Sequence, residues 1–398
     1  MIVGITVRNF RSIRQLDKLP LSAFHVLVGS NGAGKSAFLD AIEFVHDCLV
    51  QGPRRAVESR TQRGFADLTW QQRGGRIEIE LWLDISRNNL TQSGNLVHYG
   101  FAIGQNDASC IYVDDEQLYH QRWTSKLVGK LLGKTPSGKG YYFGEDRKNI
   151  SKFDLDHDKL ALALIPPDDT NYPTANAVKR FLMQGIRPLR LDSQAMRFPR
   201  PGTPGTGFEP NGANLARVVG QLLESQPPSS GSRPRWATAD SPVGRWAEHL
   251  RSALPDLAAI GWARRETDNA EYLLLKDQDG LDRPSWVLSD GTLRLLGLTL
   301  PAVLPPTAAV YLVEEPAQGV HPVGLDLILR SLSAIPCAQV LLTTHSPLVV
   351  RRVGRDALLC FKRTASGTDV IPGPHHPALI DWDGQPDLGL LFAEGVLG

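Results

Sequence analysis

An α/β fold is predicted by three features of this 398-residue sequence. A short apolar strand runs straight into a glycine-rich loop and an amphipathic helix. A run of alternating segments then reads as an antiparallel meander, and two apolar strands towards the C-terminus finish in polar or acidic residues. The 42% hydrophobic content supports a substantial core, and a prior of roughly 150 residues per domain allows two or three domains or one domain with a large insertion. Gly 37 and Pro 28 predict abundant loops.

Taken in order, Ile2 to Val7 alternates in period two, and His25 to Val28 is a second short strand ending at a glycine. From Lys35 on, Phe38, Ile42, Val45 and Leu49 share one helical face, and Gly52-Pro53 stops the helix. Ile77 to Ile85 alternates as a half-buried strand, with Val97 to Ile103 and Cys110 to Val113 as its neighbours. Between Ser125 and Asn149 the chain is rich in Lys and Gly and reads as a solvated loop or a basic contact surface. Asn214 to Glu224 is a helix with Leu215, Val218, Val219, Leu222 and Leu223 on one face. The segment that follows, SQPPSSGSRPR, is low in complexity. No heptad is sustained anywhere, which excludes a long coiled-coil arm.

Charge and cysteine usage narrow the class. Lys+Arg 43 against Asp+Glu 42 leaves a net charge of +1, so no global field draws the chain to nucleic acid or an anionic membrane. Cys48, Cys110, Cys337 and Cys360 have neither C-x-x-C nor zinc-ligand spacing, which with the absence of a secretory signal predicts a reducing cytoplasm. The most apolar window, Leu293 to Leu304, is broken by Thr299 and Pro301 and falls short of the ~20 residues that span a bilayer.

The chemistry is carried by four segments. Gly29 to Ser36, GSNGAGKS, fits the phosphate-binding loop G-x-x-x-x-G-K-[ST]. Its backbone, from Gly29 through Asn31, Gly32, Ala33 and Gly34 into Ala37 of the helix, would wrap phosphates at a helix N-terminus. Lys35 would reach the β- and γ-phosphates and Ser36 would ligate Mg²⁺. VYLVEE, Val310 to Glu315, ends a strand in two carboxylates, so Glu314 can sit by the metal and Glu315 can orient or deprotonate water. QVLLTTHSP brings Thr344, His345 and Ser346 to the end of another strand, suited to sensing a γ-phosphate. LSDGT puts Ser289, Asp290 and Gly291 at a helix N-terminus, a second anion site that a facing subunit could use.

In that order, GSNGAGKS, LSDGT, VYLVEEP and TTHSP resemble the Walker A, signature, Walker B and His-switch motifs of ABC-type ATPases. NFRSI (Asn9 to Ile13) and the EEP-x-x-G-x-HP run (Glu314 to Pro322) are similar to the SMC/RecF/OLD-like group of AAA-family ATPases, over the first fifty residues and the last hundred or so. The resemblance implies a P-loop NTPase of the ABC-head type, with an antiparallel meander and a helical signature lobe. Its parts would be 1–165 with the Walker A loop, 166–300 as an insert ending in the signature, and 301–398 with the remaining motifs. It implies ATP and Mg²⁺ as cofactors, a homodimer closed on ATP, Arg11 and Ser12 near the nucleotide, Gln318 and Gly319 in a D-loop, and Glu315 and His345 as catalytic. For the Q-loop glutamine, which the resemblance does not assign, Gln71 and Gln72 are candidates.

Two positions depart from the pattern. Glu314 stands for the usual aspartate, and Asp290 for a glycine, which sets a negative charge near a phosphate. Lacking the coiled-coil arm of SMC proteins and the TOPRIM domain of OLD nucleases, the chain is expected to be a free-standing head. It would control a separately encoded effector, in phage defence, with a RecF-like DNA clamp and a non-hydrolysing nucleotide-gated scaffold as alternatives. The Lys-rich segment and Arg187, Arg190, Arg197 and Arg200 are the basis for DNA contact.

Overall fold

The computed structural model describes residues 1–85, 96–121, 127–144, 150–201, 207–224 and 234–398. They form two compact units: Met1–Arg187 with Thr307–Leu312 and Cys337–Gly398, and Pro188–Pro306 with Val313–Pro336.

The first unit opens with a hairpin, β1 (Ile2–Phe10) and β2 (Ile13–Pro20), and then β3 (Phe24–Val28), which leads into helix α1 (Lys35–Val50). A short α2 (Pro53–Glu58) starts at the helix-stopping Gly52-Pro53. The meander follows as β4 (Ile77–Asp84), β5 (Leu96–Gln105), β6 (Ile111–Gln121), β7 (Leu127–Lys134), β8 (Lys139–Phe143) and β9 (Ile150–Asp154). With β1 and β2 it makes an eight-stranded antiparallel sheet in the order β2-β1-β4-β5-β6-β7-β8-β9. Helices α3 (Ala161–Leu164) and α4 (Pro173–Gln184) precede β10 (Ile186–Leu189).

The solvated loop expected between Ser125 and Asn149 is not what the structure shows over Leu127–Phe143. That stretch is two paired strands, because Leu131, Leu132 and Tyr142 bury against the core while Lys130 and Lys139 face outward. Composition misled here because one lysine goes inward: Lys134 is buried opposite Glu116 across the β6–β7 pair. Glu116 accepts from the backbone N–H groups of Ala161 (2.5 Å) and Leu162 (2.9 Å) and from Tyr99 O–H (3.0 Å). Lys134 Nζ donates to the carbonyls of Asp156 (3.1 Å) and Lys159. The pair thus pins the 156–162 connection to the sheet.

Burial pushes the Glu116 carboxyl up to about 7. A raised folded-state value means that this group favours folding fully below pH ~4.5 and that the benefit is lost as pH rises through 7. Glu116→Gln is therefore expected to gain on the wild type by roughly 2–3 kcal/mol between pH 5 and 8, read from denaturant midpoints at each pH. An unchanged difference would contradict it.

The second unit begins with α5 (Ser193–Arg197), β11 (Arg200–Pro201) and α6 (Leu215–Glu224). Residues 225–233 of the low-complexity SQPPSSGSRPR lie outside the described residues. Next come β12 (Arg235–Trp236), α7 (Pro242–Leu250), β13 (Leu257–Arg264), β14 (Ala270–Asp277), β15 (Asp282–Pro284) and α8 (Asp290–Thr299). Strands β11, β14, β13 and β12 form an antiparallel sheet beside which the helices pack, with β15 on β14. The sequence announces the helices better than this sheet, since LAAIGWAR and AEYLLLKD lack clean alternation.

Strand β16 (Ala309–Glu314) carries the chain from the first unit into the second, where α9 (Pro322–Ser333) completes it. Back in the first unit are β17 (Ala338–Thr343), α10 (Pro347–Arg351), β18 (Leu358–Thr364), β19 (Gly367–Pro372) and α11 (Leu388–Ala393). The sheet order β10-β16-β17-β3-β18-β19 puts β3 between β17 and β18, parallel to both. Gln339 ties the start of the chain to β17: its side chain accepts from Ile2 N–H (3.0 Å) and donates to the carbonyls of Ile2 and Ser22 (2.8 Å each).

Helix α1 contacts β1 of one sheet and β17 of the other. It therefore buries more than the single face its spacing predicts: Leu39, Ala41 and Phe44 are buried along with Phe38, Ile42, Val45 and Leu49. Phe44 meets Phe10 (5.3 Å between ring centroids) and Phe38 meets Phe361 (5.6 Å). Each such ring contributes about 1.5–3 kcal/mol through burial, so the helix that follows the loop is held rigidly.

Candidate functional site

Strand β3 ends at Val28, and the chain turns through Gly29, Gly32 and Gly34 with φ of 143°, 74° and 109°. These are left-handed values that glycine adopts at least cost. Space excludes side chains as well. A Cβ on Gly29 would lie 2.2 Å from the Phe361 carbonyl oxygen, and one on Gly34 would lie 2.3 Å from Thr368 Oγ1 and 2.9 Å from Ser12 Oγ. The β18–β19 hairpin is thus pressed against the underside of the loop. Ala33 N–H donates to Ser30 O at 3.2 Å and closes the turn. Asn31, Gly32 and Ser36 are exposed, while Ala33, Gly34, Lys35 and Ala37 are buried.

Lys35 is only 4% exposed, and its Nζ donates to the carbonyls of Gly29 (2.7 Å) and Ser30 (3.0 Å). A buried ammonium thus sits within a ring of backbone, at the start of a 16-residue helix. The first N–H groups of an α-helix have no intrahelical acceptor and its dipole is positive there, so the arrangement is made for an anion.

Arg11 stands in the β1–β2 turn with φ 51° and pairs with Asp40 of α1 at 2.5 Å. Ser12 Oγ accepts from Thr368 Oγ1 at 3.1 Å. Gln71 and Gln72 are adjacent, exposed and both left-handed (φ 55° and 57°), so the structure does not choose between them. His345 leaves the end of β17, whose Thr343 is in register with Leu27 of β3, and Thr344 N–H donates to Leu27 O at 3.2 Å. The exposed imidazole therefore emerges at the same strand end as the loop.

Sequence reasoning missed Arg363 and Thr368. Arg363 Nη1 is 3.8 Å from where a Gly32 Cβ would stand, a cation at the rim of the loop. Nothing in RTASGT, about 330 residues away, signals that contact, because only the strand order creates it.

The second unit gathers the other motif residues. Ser289 caps α8, its Oγ accepting from Thr292 N–H at 3.1 Å. Asp290 is ion-paired with Arg197, which also donates to the carbonyls of Trp286 and Leu288. A Cβ on Gly291 would lie 2.6 Å from the Gly319 carbonyl oxygen, so only glycine lets this helix start touch the turn after β16. Glu314 takes Arg190 Nε at 2.6 Å. Glu315 is half-buried and left-handed (φ 47°), with its carbonyl oxygen held by Arg294 Nη2 (3.3 Å) and Gln318 N–H (3.2 Å). A non-glycine residue in that region is strained, and such strain collects at functional sites.

The arginines singled out for DNA contact are otherwise engaged. Arg190 and Arg197 pair with Glu314 and Asp290, and Arg200 with Glu209 at 3.8 Å. Arg187 lies beside Tyr311. Among the described residues there is no cluster of three or more metal-ligating side chains, and no helix is long and apolar enough to cross a membrane.

The comparisons with known proteins follow this geometry. The family model for an AAA domain, putative AbiEii toxin, Type IV TA system, matches residues 24–351. Among solved structures, an SMC head bound to the C-terminal winged-helix domain of ScpA is similar at 14% identity and TM-score 0.52, over 93% of this chain and 97% of that one. An SMC head domain from Thermotoga maritima gives 13% identity and TM-score 0.45, over 93% and 98%. An Smc head with an extended coiled coil from Pyrococcus furiosus, bound to the C-terminal domain of ScpA, gives 12% and 0.47, over 93% and 95%. No curated protein matches. The first of these likenesses supports the fold, a P-loop NTPase head. Spanning most of the sequence, the family match and the motifs within it place the chain among the AAA-domain ATPases of the putative AbiEii toxin, type IV toxin–antitoxin family.

Proposed function

We propose that the chain binds Mg-ATP at the Gly29–Ala37 loop, hydrolyses it, pairs with a second copy across the bound nucleotides, and controls a separately encoded effector in phage defence. The observation that carries this reading is the buried Lys35 ammonium inside a ring of left-handed glycines at a helix N-terminus. The residues fit the ligand: the loop offers N–H donors and one fixed positive charge to phosphate oxygens. Arg11, Ser12 and Arg363 flank it, and the Ser36 hydroxyl and Glu314 carboxylate offer the hard oxygen ligands that Mg²⁺ prefers. When bound, Mg²⁺ would neutralise phosphate charge. With ATP bound, Lys35 would exchange two carbonyls for phosphate oxygens, Glu315 would orient the attacking water and accept its proton, and His345 would donate to the γ-phosphate. The motif divisions 1–165, 166–300 and 301–398 follow the same assignment.

Two readings lose support. A nucleotide-gated scaffold without hydrolysis rested on the negative charge of Asp290 and the longer reach of Glu314, and Arg197 offsets the first. A DNA clamp rested on the Lys-rich segment and four arginines, of which Arg190, Arg197 and Arg200 carry internal ion pairs. Phosphate release measured alongside light scattering, with and without ATP, tests the proposal; a chain that turns over ATP while remaining monomeric would remove the dimer.

The signature acts in trans if Ser289 serves a nucleotide held by a facing copy. Lys35→Ala and Ser289→Arg are each expected to be inactive, and their equimolar mixture should regain roughly a quarter of wild-type turnover. Half of randomly formed two-fold dimers are mixed, and each has one intact composite site. A Ser289→Arg chain that hydrolyses ATP normally, with dimerisation undisturbed, would overturn the assignment.

A further inference from the structure

A groove of about 710 Å³ opens in the second unit between α7, α9 and the turn Leu300–Val303. That is a volume typical of ligand sites. Beneath its floor lies Trp246, which is only 3% exposed and whose Nε1–H donates to Thr299 Oγ1 at 2.8 Å, so the ring supports the groove from below with its polar atom already satisfied. One wall is Val303, Leu304, Pro305 and Pro306, the prolines offering no backbone donor. His249 Nε2 and Ser331 Oγ meet at 3.0 Å and bridge α7 to α9.

The charge along the groove has one sign. Arg245 of α7 and Arg330 of α9 stand exposed on opposite sides, and no carboxylate is among the described residues that line it. Arg245 is steadied by its own bond to the Asp240 carbonyl at 2.5 Å, which leaves its charge in place. Burial, and then the Arg330 charge, hold the His249 imidazole below its ordinary value, so the arginines alone supply the positive charge at neutral pH. An apolar floor between two cations suits a chain segment that presents an apolar side chain flanked by carboxylates, and it repels a basic one.

The groove also touches the elements that carry the signature and the turn after β16. Thr299 closes α8, whose first turn follows Ser289, and Ser331 lies near the end of α9, which follows Gly319. We propose that this groove docks an acidic, apolar segment of a partner protein, with an aromatic or leucine side chain against Val303, Leu304 and the two prolines and one or two carboxylates on Arg245 and Arg330. Naming that partner as the controlled effector rests on the function proposed above; the docking itself does not.

Panning a random 12-residue peptide library on the full chain without nucleotide tests it, with the Arg245→Glu/Arg330→Glu chain as counter-selection. Peptides pairing Trp, Phe or Leu with Asp or Glu should be enriched. Made synthetically, they should bind the double variant and Val303→Asp at least about tenfold more weakly, with Arg330→Lys keeping most of the affinity. Lys35→Ala should bind them as wild type does, which separates this result from any failure of the nucleotide site. Enrichment no different from the unselected library, or peptides indifferent to both groove variants, would overturn the proposal.

Discussion

Lys35→Ala is expected to lower Mg-ATP affinity by about 10²–10³-fold, roughly 3–4 kcal/mol, within the range that follows removal of one partner of a buried, hydrogen-bonded charge pair. The fold should survive, because Lys35 Nζ bonds to the carbonyls of Gly29 and Ser30 in its own loop and the helix behind it is held by Phe38 and Phe44. Fluorescent-nucleotide titration with a circular-dichroism control measures both. A folded variant that binds as the wild type does would remove the loop assignment. Arg363→Gln offers a graded counterpart: it sits at the rim beside Gly32 instead of inside the loop. A rim charge in partial contact with water should weaken binding by no more than about tenfold, more at low salt than at high. Salt-independent binding equal to wild type would take Arg363 out of the site.

Glu315→Gln should leave Mg-ATP affinity nearly unchanged and reduce turnover by about 10²–10⁴-fold, the range for removing a positioned general base. Glutamine keeps the length of the side chain and accepts the same backbone conformation. At φ 47° the Glu315 carbonyl is held by Arg294 and Gln318, contacts that the substitution leaves in place. With hydrolysis stopped, the ATP-bound dimer should accumulate in light scattering. Glu314→Gln should act differently, shifting Mg²⁺ dependence and releasing Arg190 from its 2.6 Å bond. A Glu315→Gln chain with wild-type turnover would move the base elsewhere.

The loop and its helix were legible because phosphate binding imposes glycines and a lysine at fixed spacing. The cap at Ser289 was legible because a short polar residue before a leucine stripe marks a helix start. The clean alternation of IEIELWLD likewise gave away the meander. What stayed hidden depends on pairing across long separations. Lys134 reads as solvent-facing until β6 supplies Glu116 opposite it, and Asp290 reads as an uncompensated charge until α5 supplies Arg197. Arg363 and Thr368 become part of the loop's surroundings only through the strand order. A residue-type pattern records local geometry, and none of these partners is local.

The place of β3 between β17 and β18 also sets a schedule for the protein during its own synthesis. Its parallel neighbours, the Phe361 carbonyl under Gly29 and the Thr368 hydroxyl under Gly34 all come from the last part of the chain. Leu358 follows Val28 by 330 residues. At ribosomal rates of roughly 5–20 residues per second, that is a delay on the order of 15–60 s between the emergence of the loop and the arrival of the strand that backs it. Until then the strand has open edges on both sides, and the loop has nothing beneath it to hold its glycines in place. A chain halted short of β18 and β19 therefore lacks the Phe361 and Thr368 backing against which the left-handed glycines of the loop rest.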